Sequence, residues 1–108
     1  MRLLLVATVL LSAAVLALTP STGATVGCGR ISITPYGSNR QLAYAVRIAA
    51  GRVSCTTARR VMRTFMAKSV FPRGWFCVRG HASQGQKWAA SCGTAAGADV
   101  KAYGPMRL

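Results

Sequence analysis

Cys55 is the residue of this chain with the most chemistry open to it. It stands in "VSCTTARRVMRTFM", residues 53 to 66, in what the residue pattern predicts to be the first turn of a helix. A helix N-terminus lowers a thiol's pKa and raises its thiolate fraction. With His81 and Asp99, a Cys55–His81–Asp99 nucleophilic triad can be written on paper. It would consume the single histidine and the single acid of the chain. The spacing argues the other way. Cys55 lies three residues before Ala58 and seven before Met62, along the apolar stripe of the helix and toward the core. Cys55 is therefore expected to be half of a disulfide rather than a nucleophile.

The other routes to catalysis close quickly. Paired-carboxylate hydrolysis needs two carboxyl groups, and the chain has one, Asp99. The cysteines, Cys28, Cys55, Cys77 and Cys92, are separated by 27, 22 and 15 positions, without the closely spaced pair of a zinc knuckle. There is no P-loop and no GxGxxG motif. His81 reads as a solvent-exposed loop residue. The expectation is a non-enzymatic protein with no metal, cofactor or small-molecule substrate.

Cations are what the chain has in quantity. It carries 14 Lys and Arg against one acid, a formal net charge of +13. Arg59, Arg60 and Arg63 are predicted on the side of the helix opposite its apolar stripe, where they are anion-binding candidates. Guanidinium groups on phosphates add salt-sensitive, sequence-independent affinity, although the same three residues also fit an ordinary solvated face. Almost none of the cations can find a carboxylate within the chain, so anionic polymers or a membrane surface are candidate partners. The same excess also fits a compositional bias toward Ala, Arg and Gly. The Lys and Arg are dispersed, with no run of five. No aromatic-interleaved RNA-binding signature is present, and no specific nucleic-acid binding is expected.

These residues must be held by few elements. "MRLLLVATVLLSAAVLALTPSTGA" has Arg2, an apolar run from Leu3 to Leu18 and a small-residue zone ending at Ala24, the order of a secretory signal peptide. The run's 16 residues fall short of the roughly 20 of a spanning helix. Lipidation at Cys28 after "TVG" is the minority reading of the same region. Residues 25–108 then form a single small domain of 84 residues with net charge +12. A domain of that size buries only about 60–65% of its unfolded surface. Four cysteines in an exported chain of this kind read as two disulfides, each worth about 2–4 kcal/mol.

Alternating residues predict strands at 29–35 and 41–48, joined by the turn "PYGSNR". Ser54 is a suitable N-cap, and Ala58, Val61, Met62, Phe65 and Met66 recur at helical spacing. "FPRG" ends the helix. "WFCVR" (75–79) and "KWAASC" (87–92) predict a hairpin around the loop 80–86, with Trp75 sharing a face with Cys77 and Trp88 with Cys92. "DVKAY" (99–103) is a further short strand ending at Gly104-Pro105. The order β-β-α-β-β, with a further β, predicts an α+β fold: one helix packed on a small, mostly antiparallel sheet stapled by disulfides.

"VSCTTARRVMRTF", "GWFCVRG" and "ASCGTAAGADVKAY" together resemble a broad group of small secreted disulfide-containing proteins of actinobacteria. In that group an S/T-C-x-x-A-x-x-V helix precedes a cysteine-bearing hairpin. The likeness runs over residues 42 to 103 and rests on Cys55, Ala58, Val61, Trp75, Cys77, Cys92 and Val100. It implies export and architecture, not an activity. Cys28 lies outside it, and three connectivities remain open. The pairing expected is Cys55 with Cys77 or Cys92, Cys28 taking the other. The function expected is binding of an anionic envelope polymer or a protein partner by a secreted or envelope-associated domain. The alternative is a secreted effector, either a cationic membrane-active protein or an inhibitor of a secreted enzyme.

Overall fold

A computed structural model describes residues 25–106; the expected signal peptide, 1–24, lies outside the described residues. Strand β1 is Val26–Ile33 and strand β2 is Leu42–Ala50. They pair antiparallel, with Ile31 opposite Tyr44 and Ile33 opposite Leu42. The β1 register shifts between Gly27 and Arg30, around Gly29 at φ +78°. A bulge of this kind inserts one residue and reverses the side-chain parity behind it. Cys28 and Ile31, three positions apart, therefore both point inward and are buried. That broken alternation is why the strand begins earlier than its period-two pattern indicates.

Helix α1, Cys55–Lys68, starts where the N-cap places it. Ser54 Oγ accepts from the Thr57 backbone N–H at 3.1 Å. The helix buries Ala58, Val61, Met62, Phe65 and Met66. Full burial of each larger side chain is worth about 1.5–3 kcal/mol. The helix ends at Lys68, before "FPRG" at 71–74, and is capped by Ser69, which takes a left-handed conformation (φ 58°) and donates its N–H to Phe65 O at 2.8 Å. The β1–β2 loop helps close this end, since the Tyr36 N–H donates to Met66 O at 2.8 Å. Lys68 stands in the last turn, where a cation complements the helix dipole.

The hairpin follows as strands β3, Phe76–Arg79, and β4, Ala90–Gly93, with Cys77 directly opposite Cys92. A 3-10 turn at Ala82–Gln84 lies within its long connection. Strand β5 is Asp99–Met106. It does not stop at Gly104 but continues through a cis Gly104–Pro105 bond.

The sheet order is β1-β2-β5-β4-β3, and every neighbouring pair is antiparallel. The α+β architecture expected from the sequence is the one observed, and the final strand, β5, lies at its centre. The helix covers one face. Ile31, Val46, Val61, Met62, Cys92 and Val100 are the largest fully buried side chains. Ala58, Ala90 and Ala102, with no exposed surface, allow helix and sheet to approach closely. The tryptophans precede the strands instead of lying within them. Trp75 packs on the margin of the core, while Trp88 lies beneath the Lys101 ammonium, 5.4 Å from Nζ to the ring centre.

Candidate anion-binding surface and disulfide frame

The disulfides decide what the cysteines can do. Cys28 is bonded to Cys55 and Cys77 to Cys92. The expected bridge from Cys55 to the hairpin is therefore incorrect. The bulge at Gly29 turns Cys28 inward beneath the first helical turn. The hairpin register places Cys77 and Cys92 opposite each other, so each hairpin cysteine already has its partner. The helix is stapled to the sheet, as expected, but through β1. Cys28 Sγ, which lipidation would consume, is in a bridge, and Cys55 has no thiol to offer a triad. No cysteine is free, and no group of three or more candidate metal ligands occurs among the described residues. His81 is exposed at the start of the 3-10 turn, its backbone N–H donating to Gln86 Oε1 at 2.7 Å.

The three arginines on the helix do not form one set. Arg60 and Arg63 are exposed. Arg59 is half-buried, and its Nη1 donates to Cys28 O at 2.8 Å. Position 59 follows Cys55 by four and precedes Met62 by three, so it borders the apolar stripe instead of opposing it. Its guanidinium is committed to holding the helix on β1.

Other cations line the sheet face that the helix leaves open. Arg30 lies opposite Ala45, and Ala45 opposite Tyr103. Arg47 lies opposite Lys101, and Lys101 opposite Ser91. Arg47 reaches Thr25 Oγ1 at 3.5 Å. This array is written in the strand alternation, where Arg30 and Arg47 adjoin inward-facing Ile31 and Val46.

Lys101 binds both oxygens of Asp99, at 3.0 and 2.8 Å, and also reaches Ser91 Oγ at 3.2 Å. This is the single ion pair among the described residues. The one acid of the chain is thus already neutralised. The core-side exception is Arg79. It lies 4.8 Å over the Phe65 ring and donates to Ser69 Oγ at 3.1 Å, closing the helix C-terminus. Its charge also acts on Tyr44, whose phenol is raised above the usual 10.0 by burial and partly drawn back by Arg79.

Compared with protein-family models, curated proteins and solved structures, the chain matches none.

Proposed function

We propose that this is a non-enzymatic, exported, disulfide-stabilised basic domain that binds an anionic polymer of the cell envelope. One observation carries the reading: apart from Lys101, no described Lys or Arg has a carboxylate partner, in a chain with 14 such residues. Cations without internal partners create a positive potential over the surface and attract polyanions. Arg60 and Arg63 on the helix and Arg30 and Arg47 on the open sheet face supply it from opposite sides of the molecule. Export is supported by the leader-like residues 1–24 and by two disulfides, which persist in oxidising compartments.

The test is retention of the oxidised protein on an immobilised phosphate-bearing wall polymer, with a neutral glycan matrix as control. Electrostatic binding falls linearly on a log–log plot against salt. Retention that ignores salt, or equal retention on the neutral matrix, would sink the proposal and favour a protein partner recognised by shape.

A further inference from the structure

Four of the exposed large apolar side chains, Val70, Phe71, Phe76 and Val78, fall within residues 70–78. Phe76 is 65% exposed and Phe71 49%. Three of them form a continuous ridge. Phe71 folds around the free edge of β3, its ring 6.0 Å from core Phe65 and 5.1 Å from Phe76. Phe76, Val78 and Trp75 then line an open groove of about 730 Å³. The cause lies in the pairing. Cys77 points into the core, so Phe76 and Val78 point out, opposite Gly93 and Ser91, which are too small to cover them.

A basic tip stands on this ridge. Trp75 N–H donates to Pro72 O at 2.9 Å with Gly74 at φ +84°, the form of a tight turn with glycine at its third position. Arg73 occupies the exposed apex of that turn, between Phe71 and Trp75. Lys68 is exposed at the preceding helix end.

Exposed apolar ridges mark docking surfaces. A second copy of this chain is disfavoured, because edge-to-edge pairing would bring two strongly positive molecules together. An anionic bilayer suits both parts of the surface. Phenylalanine and valine gain by entering its acyl boundary, tryptophan favours the interface, and each nearby cation gains from anionic headgroups.

We propose that the ridge formed by Phe71, Phe76 and Val78, with half-buried Trp75 at its base and Arg73 at its tip, docks the protein on anionic lipid membranes by shallow insertion. This goes beyond polymer binding, which makes no use of the ridge. The mode is peripheral, as for other amphipathic surfaces. No helix among the described residues is long and apolar enough to cross a membrane.

The experiment is co-sedimentation of the oxidised protein with phosphatidylglycerol–phosphatidylcholine vesicles and with phosphatidylcholine vesicles alone. Phe76→Ser, Val78→Ser and Arg73→Gln are compared with the parent. A Trp88→Phe background isolates Trp75 for quenching by acrylamide. The expected result is preference for anionic vesicles, with protection of Trp75 on binding. Phe76→Ser should weaken vesicle affinity about tenfold, the equivalent of one largely buried aromatic. Val78→Ser should weaken it less, and both variants should be retained unchanged on the phosphate polymer. Vesicle affinity indifferent to both apolar substitutions, or a Trp75 left open to quencher, would overturn insertion while leaving polymer binding intact. A concentration-dependent dimer that Phe76→Ser abolishes, without vesicle binding, would reassign the ridge to a second copy.

Discussion

Cys28 is held twice by the same face of the helix. Its Sγ is bonded to Cys55, and its carbonyl oxygen accepts from Arg59, one turn further on, at 2.8 Å. Arg59 is thereby a structural cation, unlike the exposed Arg60 and Arg63. Hydrogen bonds from charged groups contribute about 1.5–3 kcal/mol. Arg59→Ala should lower stability by about that amount in urea unfolding. Arg60→Ala and Arg63→Ala, at exposed positions, should stay within about 0.5 kcal/mol. The order should reverse for polymer retention, with Arg60→Ala and Arg63→Ala expected to weaken it more than Arg59→Ala. Equal stability of all three variants would refute this division.

The two bridges should differ in worth. In the chain-entropy account the stabilisation grows with the loop closed. Cys28–Cys55 spans 27 residues and Cys77–Cys92 spans 15. Removing either pair by serine substitution should cost about 2–4 kcal/mol, the first more than the second. Non-reducing proteolysis with mass mapping checks the connectivity, and urea midpoints of the two double variants check the order.

Asp99→Asn would leave the chain without any acidic side chain. The Lys101–Asp99 pair is partly exposed, with side chains 20% and 36% accessible, and such pairs contribute at most about 1 kcal/mol. Stability should therefore change little. The freed Lys101 charge should delay elution from the phosphate polymer in a salt gradient. Earlier elution would mean that the pair organises the binding face instead of masking it.

Alkaline pH provides a test of the core. Burial holds the Tyr44 phenol protonated beyond the usual 10.0. Below that pH it is neutral in both folded and unfolded chains and contributes no pH dependence. Above it the unfolded chain releases the proton first, so stability falls as pH rises toward the folded value. Tyr44→Phe should flatten that part of the curve, as read from urea midpoints above pH 10.0. An unchanged slope would place the loss elsewhere.

Much of this architecture was written in local pattern. The helix and its cap at Ser54 follow from spacing, and the hairpin around Cys77 and Cys92 from alternation. What alternation cannot say is which strands become neighbours. The short segment 99–103 carries no mark of a central strand beyond its small, buried Val100 and Ala102. The bulge at Gly29 breaks the alternation that would mark both the start of β1 and the inward turn of Cys28, and with it the pairing to Cys55. Arg59 departs from the exposed side expected of it because a long side chain at the margin of an apolar stripe can run along it with its charge at the edge. The outward face of β3 was legible in one respect. If Cys77 is buried, then Phe76 and Val78 are not, but the larger residues of a strand invite the opposite assignment.

The cysteines pair in the order in which they occur, first with second and third with fourth. In a chain that met an oxidant from its N-terminal side, Cys28 and Cys55 would both be available before Cys77. The hairpin pair then has no rival left. Pairing in that order would need no reshuffling. The two covalent loops share no residue, and the strand that unites them, β5, contains no cysteine. Oxidation can thus be complete while the sheet is still in two pieces, and their union depends on non-covalent pairing alone.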